Sequence, residues 1–136
     1  MRPVNLFLTE DGVVKLGYYG LMKQAECYGI KGMNCEGLRS FAPEAFKGKY
    51  GIASDVWSYG IVLIEMMGIT PYAGDDFDYI PTLSDVKLPF DQRDIKSEEL
   101  VDFLKKCFQR VGERWNVKQL MNVSGMGWRM MSSIHL

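Results

Sequence analysis

The sequence predicts a mainly α fold with a short β-hairpin near the N-terminus. Three patterns carry that expectation: an Asp11-Gly12 turn between two apolar runs, an apolar stretch of helical character from Asp55 to Met67, and a cleanly amphipathic segment opening at Ser97. At 136 residues the chain has the length of one domain, since domains cluster near about 100–150 residues.

Asn5-Leu6-Phe7-Leu8-Thr9 reads as a strand, Glu10-Asp11-Gly12 as a turn, and Val13-Val14-Lys15-Leu16 as a second strand. Asp-Gly favours such a hairpin because glycine accepts the positive φ that the turn requires. From Gly17 to Arg39 no period is visible, and the segment reads as a long irregular loop, a length usually kept for a task. Val56, Trp57, Tyr59, Ile61, Val62, Leu63, Ile64, Met66 and Met67 then make a helix apolar nearly all round, with Ser54 as its expected cap and Gly68 beyond its end. Residues 70–96 carry Pro71, Gly74, Pro81 and Pro89 and leave room for a short helix at most.

Ser97 is the expected cap of the next helix. Leu100, Phe103, Leu104, Cys107 and Phe108 follow the i, i+3, i+4, i+7, i+8 spacing. Glu98 and Glu99 lie in its first turn and Lys105 and Lys106 near its end, matching the helix dipole. Asn116 and Gln119 form a capping-box pair for a last helix through Val117, Leu120 and Met121. The chain therefore divides into a domain over residues 1–124 and an irregular tail over 125–136.

Composition removes several function classes. Apolar residues make up 47% and charged residues 24%, so a packed core is expected rather than disorder. Sixteen Lys and Arg against seventeen Asp and Glu give a net charge of -1, which offers no field for nucleic acid or an anionic membrane. The longest apolar run, Ile61 to Met67, is broken by Glu65 and is far short of the ~20 residues of a membrane span. The first residues carry no secretory pattern. Cys27, Cys35 and Cys107 are odd in number and widely spaced, and fit structural thiols of a reducing cytoplasm better than disulfides or a zinc site. The one histidine, His135, is next to last, which removes a His-rich metal centre and weakens any Ser-His or Cys-His mechanism.

Five strings, in order, give the chain a family likeness. Arg2-Pro3-Val4-Asn5 followed by Leu6-Phe7-Leu8 resembles the end of the catalytic loop of eukaryotic protein kinases, H-R-D-x-K-P-x-N, and its following strand. Gly17-Tyr18-Tyr19-Gly20 occupies the place of the D-F-G segment. Ala42-Pro43-Glu44 matches A-P-E, Ser54-Asp55-Val56-Trp57-Ser58-Tyr59-Gly60 matches the start of the central C-lobe helix, and Arg114 takes the place of the arginine that pairs with the A-P-E glutamate. The likeness covers residues 2 to about 124. It implies a partial protein-kinase-like C-lobe, of serine/threonine type from Pro3 and Asn5. Gly37-Leu38-Arg39-Ser40-Phe41 further resembles mitogen-activated protein kinase kinases and their relatives.

The resemblance implies ATP-dependent phosphoryl transfer to protein, with ATP and magnesium as the family's cofactors. That chemistry depends on a glycine-rich loop, a strand lysine, magnesium on an aspartate and an asparagine, and an aspartate base. The base belongs immediately before Met1, and no G-x-G-x-x-G occurs in these residues. Asn5 stands at the magnesium-ligand position as a vestige. Arg2 replaces the phosphate-facing lysine with a longer planar fork. Tyr18 puts a neutral phenol where the metal-binding carboxylate belongs, a poor ligand for a hard cation. The expectation is a catalytically inactive fragment that takes no cofactor alone.

Structural residues are expected to persist. Glu44 and Arg114 should form a buried pair, Trp57 is the structural tryptophan of the central-helix string, and Asp55 should turn to water or nearby amides. Tyr28 and Ser40 are the candidate phosphosites of the long loop. In the family this helix is partly covered by helices encoded before residue 1, and without them Trp57, Ile61 and Ile64 are expected to leave an exposed apolar patch. Hence the alternative is a pseudokinase-type module that holds a protein partner on the face of helix 55–67 or on loop 21–41. A third expectation is an incomplete product of a longer gene.

Overall fold

The computed structural model describes residues 5–17, 39–72 and 88–123. Among them are a two-stranded antiparallel sheet and three α-helices, a mainly α arrangement. Strands β1 (Leu6–Leu8) and β2 (Val14–Leu16) pair Leu6 with Leu16, Phe7 with Lys15 and Leu8 with Val14. Gly12 turns the chain with φ of 81°, as the Asp-Gly pattern requires. The Thr9 hydroxyl donates to the Asp11 carboxylate and accepts from the Val13 N–H, so the loop supplies its own partners. Phe7, Leu8, Val14 and Leu16 are all more than half exposed among the described residues.

Helix α1 spans Ile52–Met66 and begins three residues before the expected start. Its N-cap is Gly51, with no side-chain cap. Ser54 lies inside the helix because its hydroxyl donates to Glu44 Oε1 (2.9 Å) instead of capping. The far end closes as anticipated at Gly68, which adopts φ of 76°. There the Gly68 N–H donates to the Glu65 carbonyl (3.0 Å) and the Ile69 N–H to the Ile64 carbonyl (3.2 Å). These bonds satisfy carbonyls that the helix end would otherwise strand.

Helix α2 (Glu98–Cys107) is capped by Ser97, whose hydroxyl accepts the Leu100 N–H at 3.2 Å. Helix α3 (Val117–Asn122) opens with the full Asn116–Gln119 capping box, both bonds being 2.9–3.0 Å. Of its apolar residues, Leu120 turns inward, whereas Met121 is 77% exposed. A 3-10 helix occupies Gln92–Asp94 within the turn-rich stretch, and Tyr72 donates its N–H to the Pro89 carbonyl (2.9 Å). Residues 18–38, 73–87 and 124–136, which hold most of the expected long loop and the whole expected tail, lie outside the described residues.

The core corrects one expectation outright. Trp57, Ile61 and Ile64 do not form an exposed patch; each has no measurable exposure. Ala42, Ile95, Leu104 and Phe108 close over them. The Phe108 and Trp57 rings meet in a T-shape with centroids 5.0 Å apart, an orientation that sets the positive edge of one ring against the negative face of the other. A second cluster joins Val56 to Phe103, Cys107 and Leu120. Each large side chain sealed this way contributes about 1.5–3 kcal/mol over an exposed one.

Gly60 makes that coverage possible. A Cβ there would come within 2.7 Å of the Phe108 ring and 3.0 Å of Cys107 Cβ. The missing side chain lets α2 cross directly on α1. What α1 leaves exposed is Ile52, Asp55 and, in part, Tyr59.

Candidate functional site

The residues of the buried polar cluster around Glu44 and Arg114 lie far apart in the chain. Ala42 is extended and Pro43 starts a 3-10 helix (Pro43–Lys47), which sets Glu44 facing inward. Gly48 ends that helix with φ of 71°, and the Lys49 N–H returns to the Glu44 carbonyl at 3.1 Å. From the other end of the chain, the turn after α2 fixes Arg114 through its N–H to the Arg110 carbonyl (2.8 Å).

The two side chains meet fork to fork. Arg114 Nη1 donates to Glu44 Oε1 at 2.6 Å and Nη2 to Oε2 at 3.0 Å. Nη1 also reaches the Ala53 carbonyl (2.7 Å), and Nε the Gln109 carbonyl (3.0 Å). The guanidinium carbon sits 5.0 Å from the centre of the Trp57 ring, within cation–π range. The Arg114 side chain is wholly buried and that of Glu44 is 10% exposed. Such bidentate, charge-assisted bonding offsets the desolvation of both ions.

The carboxyl of Glu44 records the balance. Burial pushes its pKa up, but the Arg114 hydrogen bonds, its own backbone N–H, the Arg114 charge and the Ser54 hydroxyl outweigh burial and hold it below its ordinary value. Every oxygen of this carboxylate is committed to an internal donor. A base so engaged takes no proton from a substrate, so the cluster works as a clamp: it ties the Ala42–Glu44 segment to the start of α1 and to the chain after α2. Ser58 adds a tie by donating to the Ser40 carbonyl at 2.8 Å.

The remaining sequence-derived positions divide clearly. Asn5 is 9% exposed, and its carbonyl accepts the Gly17 N–H at 2.7 Å. The hairpin thus brings Asn5 beside the residue that precedes Tyr18. Phe7 lies over Gly17 so closely that a Cβ there would fall 2.2 Å from its ring. Arg2, Tyr18 and Tyr28 lie outside the described residues. Asp55 is exposed in the first turn of α1. Ser40 is only 3% exposed, so in this conformation its hydroxyl is withdrawn from any modifying enzyme. Ser54, Ser58 and Gly60 were not singled out by sequence reasoning for the roles they play. Ser54 carried only a capping signal, and a glycine within a helical pattern reads as a local weakness.

Magnesium, the metal that the kinase resemblance implies, finds a poor donor set. It favours oxygen ligands that include carboxylates and phosphates in octahedral geometry. Asn5 supplies an amide and position 18 a phenol. Among the described residues, no three His, Cys, Asp or Glu converge as a metal site. The residues present do not fit the ion. Cys107 also offers no chemistry: it is fully buried, and burial pushes its thiol up to about 12, against a smaller opposing effect of Arg114. No helix among the described residues is long and apolar enough to cross a membrane.

Comparison with known proteins agrees with this framework. Residues 1–123 match the family described as protein tyrosine and serine/threonine kinase. The chain is 34% identical over 113 residues to protein kinase C delta type of Rattus norvegicus, covering 78% of this chain and 16% of that protein. It is 33% identical over 130 residues to mitogen-activated protein kinase kinase kinase 18 of Arabidopsis thaliana, covering 90% of this chain and 38% of that one. Against serine/threonine-protein kinase Nek9 of Xenopus laevis, identity is 39% over 72 residues, covering 52% of this chain and 8% of the relative. The chain therefore spans well under half the length of these relatives. The match over residues 1–123 makes this chain a member of the protein tyrosine and serine/threonine kinase family.

Proposed function

We propose that these 136 residues form part of the C-lobe of a serine/threonine-type protein kinase and do not transfer phosphate by themselves. Tyr18 carries the reading. Where the family's mechanism requires a carboxylate to hold magnesium, this chain has a phenol, a poor ligand for a hard cation. Loss of that metal's charge stabilisation costs several kcal/mol at the transition state, or orders of magnitude in rate.

Phosphoryl transfer is therefore separated in this chain from the scaffold that supports it. The Glu44–Arg114–Trp57 clamp is complete, whereas the charge-gathering positions are replaced. For the alternative of a pseudokinase-type binding module, Trp57, Ile61 and Ile64 are buried, and the face of α1 open to a partner is that of Ile52, Asp55 and Tyr59. The module's other surface, loop 21–41, lies almost wholly outside the described residues.

Incubation of the purified chain with magnesium, labelled ATP and an acceptor protein tests the reading. No transfer above a mock preparation is expected, and no thermal shift with magnesium-ATP. A nucleotide bound at ~100 times its dissociation constant would stabilise the fold by about 2.7 kcal/mol. Labelled phosphoprotein that disappears with Asn5→Ala would overturn it.

A further inference from the structure

We draw no further inference here: the strongest candidate, the exposed apolar surface of the β1–β2 hairpin around Phe7, Leu8, Val14 and Leu16, carries nothing because nothing in the structure shows what covers it.

Discussion

Replacing Arg114 with methionine is the most direct probe of the clamp. The substitution keeps much of the side-chain volume but strips Glu44 of both guanidinium bonds, leaving a carboxylate whose side chain is 10% exposed with Ser54 as its remaining side-chain donor. Orphaning one ion of a buried pair costs about 3–5 kcal/mol. A domain holds only about 5–15 kcal/mol in total, so the loss is a large share of its stability. With a urea slope of about 2 kcal/mol/M, the unfolding midpoint should fall by roughly 1.5–2.5 M. Glu44→Gln strands the guanidinium instead, softened by the Ala53 and Gln109 carbonyls that still accept from it. The double variant leaves no orphaned charge. Its cost should fall short of the summed single costs by at least about 1.5 kcal/mol, within the usual range of coupling between contacting residues. Urea titrations of the four proteins by circular dichroism give the cycle directly. Two small, additive losses would refute the clamp as a principal source of stability.

Three further outcomes follow from the same geometry. Because the Glu44 pKa is depressed in the folded chain, the unfolded chain binds the proton more readily. That share of stability is present above about pH 4.5, the group's ordinary value, and is lost as pH falls through the folded value. The urea midpoint should therefore drop on acidification, and Glu44→Gln should flatten the drop. Gly60→Ala should destabilise by about 1–2 kcal/mol despite alanine's better helix propensity, since the new methyl meets Phe108 and Cys107; thermal unfolding measures it. Cys107 should resist iodoacetamide in the folded chain and react once urea opens the core, as peptide mass spectrometry will show.

Local chemistry wrote the hairpin and the last two helices plainly into the sequence. Asp11-Gly12 marks its turn, the spacing from Leu100 to Phe108 marks the buried face of α2, and Asn116 with Gln119 marks the start of α3. The start of α1 was misplaced because Ser54, a good cap by type, is drawn to Glu44 ten positions earlier. The coverage of Trp57 and Ile61 was missed for a related reason. Their neighbours Ile95, Leu104 and Phe108 come from more than thirty residues downstream, and no periodicity reports which distant segment will arrive. Glu44 and Arg114 were foreseen through the family likeness, not through any local pattern, since 70 positions separate them. Ser40 likewise meets its donor Ser58 across eighteen positions.

That separation also bears on how the chain is made. Ribosomes add about 5–20 residues per second, so after Glu44 is made roughly 4–14 s pass before its cationic partner is polymerised. Through most of that interval Trp57, Ile61 and Ile64 have emerged or are emerging without Leu104 and Phe108, which close over them. The nascent polypeptide is thus committed to holding greasy surface and a lone carboxylate open until residues 104–114 have been added. Chaperones that capture such intermediates have their longest opportunity on this chain before Arg114 appears.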